Sequence, residues 1–132
     1  MLRIYIPISA LAIILFVGVV MTGLYNLYDF LPSFDKFMHL VAGFVVAWLA
    51  HALFRNSITQ LPFVSRLVFL AGCVALIGVA WEIAEFFANN IKDIAPTFYY
   101  YFHGGGLADT LADMATNVLG GLVYALIFSR RS

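Results

Sequence analysis

The sequence predicts an all-α integral membrane protein, a bundle of four transmembrane helices forming one domain over residues 1–132, and three observations carry that reading. Hydrophobic residues fill 64% of the 132 positions and charged residues only 11%, against the roughly 25% charged residues of an ordinary soluble domain. Four apolar runs, at 5–25, 37–54, 67–88 and 107–128, each approach the ~20 residues that a helix needs to cross a bilayer. The connectors between them, 26–36, 55–66 and 89–106, hold three of the four prolines, which interrupt helices.

The first run continues through Leu24, Tyr25 and Asn26 with no small-residue cleavage site, so it reads as a retained span rather than a secretory signal. Pro32 and Ser33 precede the second run, and Ser33 is placed to cap it. The 55–66 connector is polar and contains Pro62. Within the third run lies the lone Cys73, which has no disulfide partner in the chain and packs as a small hydrophobe. The 89–106 connector carries Pro96, an aromatic stretch at 98–102, His103 and three glycines. Tyrosines suit the membrane interface, where the ring is half buried and the hydroxyl stays wet. His51, toward the far end of the second run, is expected at the opposite interface. Neither an internal repeat nor a second domain is evident.

The formal net charge is zero and no basic run exists, which excludes a nucleic-acid partner, since phosphate binding needs clustered Lys and Arg. The basic residues that remain are unevenly placed. Arg3, Arg55, Arg66, Arg130 and Arg131 fall on one side of a four-span arrangement, and Lys36 and Lys92 on the other. By the positive-inside rule this puts both termini and the second connector in the cytoplasm of a cell with an inner membrane.

Five of the seven acidic residues lie within or at the ends of apolar runs: Asp35, Glu82, Glu85, Asp109 and Asp113. Charges in a spanning helix cost several kcal/mol each unless they find a partner, the bundle interior or water. In the predicted topology all five, with His39, converge on the extracytoplasmic level. Asp35 and His39 are spaced i and i+4, Glu82 and Glu85 i and i+3, while Asp109, Asp113 and Asn117 step by four, so each set shares one helix face. Gly43, Gly78, Gly120 and Gly121 would let those helices approach closely.

Carboxylates gathered in one pocket cannot all stay ionised without compensation. Lys36, His39, protons and a divalent cation are the four sources. A divalent metal would take Asp35, His39, Glu82, Glu85, Asp109 and Asp113 as candidate ligands, the donor set that helical bundles use for one or two ions. Each residue also has a plainer role. Asp35 and Asp109 sit where a carboxylate stabilises a helix start, Lys36 is read as pointing elsewhere on its helix, and Asn117 as a structural hydrogen bond between helices. Trp81 reads as packing. Glu82 and Glu85 have no helix-start role and are the candidate catalytic residues; His103, among the glycines, is a candidate lid.

The run Asp35-Lys36-Phe37-Met38-His39 with Gly43, then Trp81-Glu82-Ile83-Ala84-Glu85, then Asp109 to Met114 resembles the bacterial inner-membrane family typified by YjdF, over roughly 34–121. The Asp-Lys-x-x-His start and the Asp-x-x-x-Asn-x-x-Gly close, Asp113 to Gly120, more distantly resemble VanZ-like proteins. The resemblance implies a compact multi-span protein whose Asp, His and Glu positions belong together, and it implies no particular reaction. The chain is shorter than typical YjdF-like members, with fewer spans before the shared region.

Three functions follow as expectations. One is a metal-dependent activity on a lipid or lipid-linked substrate, with Glu85 as general base. Another is a non-enzymatic protein whose pocket grips a membrane lipid head group or a cation. The third is a subunit held by protein partners in a larger membrane complex.

Overall fold

The computed structural model describes residues 2–25, 31–102 and 104–128. Its helices run in chain order as α1 (Leu2–Tyr25), α2 (Pro32–Leu53), α3 (Arg55–Ile58), α4 (Phe63–Asn90), α5 (Pro96–Phe102) and α6 (Leu107–Phe128). No strand occurs among the described residues. Four of these helices, α1, α2, α4 and α6, are long and apolar enough to cross a membrane. The short α3 and α5 occupy what the sequence reads as connectors.

Two boundaries move outward. α2 begins at Pro32 rather than near residue 37, because Pro32 takes the first helical position, where a missing N–H is harmless. Ser33 is therefore inside the helix and caps nothing; the N-cap is Leu31, with no side-chain cap bond. α4 covers 28 residues, about 42 Å at 1.5 Å per residue, longer than a ~30 Å hydrocarbon layer. Its final turns reach past the apolar run and carry Asn89 toward the glycine connector.

The innermost helix is α6: 33% of its most apolar window is buried, against 11% for α1. It packs most extensively on α2 and next on α4. Reciprocal glycines set that closeness. A Cβ on Gly43 would collide with the backbone carbonyl of Asn117 on α6, and one on Gly120 with the backbone carbonyl of Leu40 on α2. The two backbones are thus in direct contact, as small residues permit in membranes. Gly121 sits against the Val74 side chain in the same way, drawing in α4.

Below this crossing, Val46, Ala47, Ala50, Ile58, Leu70, Val74, Tyr124 and Ala125 form the apolar core. His51 packs against its Tyr124 ring. The histidine is buried, with Nδ1 3.0 Å from the Tyr124 hydroxyl, a bond that lets a polar ring sit in an apolar environment. Outward faces carry exposed large apolar side chains such as Phe16, Val68, Leu76 and Ile83, as a lipid-facing surface requires. α1 lies against α2, and the Tyr100 hydroxyl of α5 donates to the Thr22 carbonyl of α1 at 3.2 Å.

Candidate functional site

The first turns of α2 and α6 and the last third of α4 meet at one end of the bundle. There the ammonium of Lys36 lies 3.0 Å from Asp35, 2.5 Å from Asp109 and 2.6 Å from Asp113. Lys36 does not point away from the acids; it is their common partner. Its flexible four-carbon stem lets the amine leave the direction of its own Cβ and reach a carboxylate cluster on the neighbouring helix. The Asp113 side chain is 2% exposed, whereas Asp35 and Asp109 are 23% and 39% exposed. The strongest demand for a counter-charge therefore comes from Asp113, since a buried unpaired ion is far costlier than a wet one.

Asp109 does two things at once. One oxygen receives Lys36, and the other accepts the Gly105 N–H at 3.1 Å, holding the connector against the start of α6. The helix-start role and the charge-pairing role are both present on the same carboxylate.

His39, buried one turn below Asp35, has Nε2 3.6 Å from Asp35 and 3.7 Å from Asp113. Its Nδ1 is 2.9 Å from Asn117 Nδ2. With the Asn117 amide oriented this way, its N–H donates to Nδ1, and the neutral ring then carries its proton on Nε2, aimed at the two carboxylates. Turning the Asn117 amide over would reverse the tautomer and free Nε2 as a ligand atom. Asn117 thus links α6 to α2 and also sets which ring nitrogen faces the acids.

One ligand atom from each of Asp35, His39 and Asp113 lies within 4.8 Å of the others, a spacing that a metal ion could bridge. Lys36 is bonded to two of these three residues, so a cation entering here would compete with the ammonium.

Glu82 and Glu85 stand apart from that centre. Glu82 is 9% exposed, lies beside the Thr110 side chain, and among the described residues its Oε1 has no partner. Glu85 accepts the Trp81 indole N–H at 2.6 Å, an i, i+4 pair that gives Trp81 a polar task besides packing. Both glutamates line a cavity of about 330 Å³ with Phe86, Asn89, the three connector glycines, Leu107 and Thr110. The single pocket expected from the sequence is therefore two neighbouring compartments. His103, the candidate lid, lies outside the described residues.

A second cavity, about 270 Å³, opens between α1, α2 and α4. Its walls are apolar, with Leu11, Ile14, Met38, Val74 and Ile77 among them, except where His39, Trp81 and Asn117 contribute. Volumes of this order sit at the small end of ligand pockets. At the far end of the bundle a third cavity, of about 320 Å³, is bounded by Trp48, His51 and Tyr124.

Lys36, which the sequence offers as a possible counter-charge but whose position reads as pointing elsewhere on its helix, is the central residue of the site. Its i, i+3 spacing to His39 was the available signal, because residues three apart share a helix face. Thr110 and Asn89 gave no such signal.

These features define a class: a polytopic helical membrane protein with a charged centre buried at one end of its bundle. The chain belongs to the family described as "Predicted membrane protein (DUF2238)", which it matches over residues 3–132. It is also 29% identical over 119 residues to an uncharacterised protein of Thermotoga maritima, a match that covers 88% of this chain and 58% of that relative. The chain thus spans about three-fifths of the length of that relative. No solved structure matches it.

Proposed function

We propose that the protein binds an amphiphile of the membrane, with hydrocarbon in the cavity between α1, α2 and α4 and the polar end turned to His39, Asn117 and the carboxylates behind them. The observation that supports this is the lining of that cavity: mainly apolar, with polar groups only from Trp81 and from His39 and Asn117, the two residues that border the charged centre. A pocket of mainly apolar wall with a few convergent polar groups is the usual form of a small-molecule site. The arginine distribution supports an extracytoplasmic site in an inner membrane, with both termini in the cytoplasm. The distant VanZ-like resemblance falls on the same residues, Asp35, Lys36 and His39 on one helix and Asp113, Asn117 and Gly120 on the other.

Binding is favoured over turnover because the charged groups bordering this cavity are committed to one another. Lys36 holds three aspartates, and Glu85, the general base that the sequence suggested, is turned to Trp81. Lipid mass spectrometry of the purified protein tests the reading. A defined lipid should co-purify above the annular background and be lost in Leu15→Trp, which fills the cavity from a lipid-facing position. The same lipid yield from both proteins would overturn it.

The 4.8 Å grouping of Asp35, His39 and Asp113 supports a second reading, divalent-metal-dependent chemistry on a lipid-linked substrate. It requires the cation to displace Lys36 from Asp35 and Asp113. Metal analysis of Lys36→Ala beside the natural protein tests it: a metal retained by both and lost in Asp113→Asn supports the reading, and none in either counts against it.

A further inference from the structure

Among the described residues, the glutamate cavity has no counter-charge of its own. Glu82 is more than nine-tenths buried, lines the cavity, and among the described residues leaves Oε1 unpartnered. Among those residues no lysine, arginine or histidine makes an ion pair with Glu82 or Glu85, and Lys36 is already held by three aspartates that do not line this space. A buried carboxylate oxygen without a partner carries a desolvation penalty, larger still when charged.

The rest of the wall is oxygen-rich and built to stay in place. The Asn89 amide donates to the Gly104 carbonyl at 3.1 Å, which ties this cavity-lining residue to the connector and uses its nitrogen rather than its oxygen. Thr110 contributes a hydroxyl. Gly104 lies directly on the Glu85 carboxylate and Gly105 on that of Asp109, so closely that a Cβ at either position would collide with an oxygen. The connector is a close-fitting roof over two carboxylates.

We propose that Glu82 and Glu85 hold a hydrated divalent cation of the hard, oxygen-seeking kind beneath glycines 104–106, with Asn89 and Thr110 as the remaining oxygen donors. Carboxylates, an amide oxygen and a hydroxyl, with no sulfur or imidazole among the described lining residues, are the donor set for calcium, magnesium or manganese rather than zinc or copper. The cavity, at about 330 Å³, has room for on the order of ten waters at ~30 Å³ each, so the ion keeps much of its hydration shell. The inference is independent of the amphiphile reading, which concerns a different cavity.

Terbium(III), a hard-oxygen surrogate for calcium, provides the test, because the Trp81 indole bonded to Glu85 is placed to sensitise its luminescence. The full chain in a maltoside micelle should give tryptophan-sensitised terbium emission that calcium displaces. Glu82→Gln and Glu85→Gln should each weaken terbium affinity by on the order of tenfold or more, and Trp81→Phe should abolish the sensitised emission. Asp113→Asn, in the neighbouring centre, and Trp48→Phe, at the far cavity, should leave it in place. Glu82→Gln is isosteric and removes the unpartnered charge, so its helical circular dichroism should match that of the natural protein. Absence of sensitised emission, or emission that survives Glu82→Gln and Glu85→Gln but disappears in Asp113→Asn, would overturn the proposal.

Discussion

Replacing Lys36 by methionine keeps an unbranched stem and deletes the one cation shared by three aspartates. Asp113 dominates the outcome, because its carboxylate is 2% exposed and 2.6 Å from the ammonium. Removing one partner of a buried pair destabilises by about 3–5 kcal/mol. Asp35 and Asp109 are wetter, and pairs of that kind are worth about 0–1 kcal/mol each, so the total should stay near 4 kcal/mol. The double variant Lys36→Met with Asp113→Asn removes both the ammonium and the buried charge, and most of the loss should return. A coupling energy of about 2 kcal/mol or more between the two positions is the expected result. Reversible unfolding in mixed micelles, driven by a rising fraction of sodium dodecyl sulfate and followed by circular dichroism, measures all four proteins. If Lys36→Met unfolds within about 0.5 kcal/mol of the natural protein, the range of an ordinary surface change, or if the two substitutions simply add, the ammonium is not the partner of Asp113.

Gly43→Ala and Gly120→Ala should each destabilise the bundle by about 1–3 kcal/mol in the same assay, because the new methyl group meets backbone on the facing helix. Gly72→Ala is the control: nothing lies near its Cβ position, and alanine should be neutral or stabilise α4 by up to about 1 kcal/mol. Tyr124→Phe should cost about 1 kcal/mol through the lost bond to His51, and an additional His51→Phe should recover part of that loss. Leu15→Trp should remove the co-purifying lipid while leaving the unfolding midpoint close to that of the natural protein.

Span existence was legible in the sequence because lipid demands long apolar runs, and all four helices occur where hydropathy places them. Span ends were less so. Hydropathy ends the second run at the polar residues Ser33, Asp35 and Lys36, yet these belong to the helix, since a backbone started by Pro32 turns regardless of what its side chains later meet. The meeting of Asp35, His39 and Asp113 was visible as spacing, because i, i+4 residues share a face and glycines mark a close crossing. Where Lys36 goes was not, since four rotatable bonds carry its charge away from the direction of its own Cβ. The same limit hid the separation of Glu82 and Glu85 from the aspartates. Helical spacing shows which residues share a face, but not which neighbour that face is turned toward. His51 reads as interfacial by its place along α2, and only the partner at Tyr124 on a distant helix makes its burial affordable.

The partners of Lys36 on α6 lie 73 and 77 residues further along the chain. During synthesis both of those aspartates are still untranslated when α2 emerges, and of the three aspartates that hold the ammonium only Asp35 is then present. Lateral release of α2 into lipid is therefore incomplete in electrostatic terms until the last helix arrives. α6 supplies the two aspartates that complete the pairing of Lys36, so a chain truncated after α4 should hold α2 in the membrane less stably than one that includes α6.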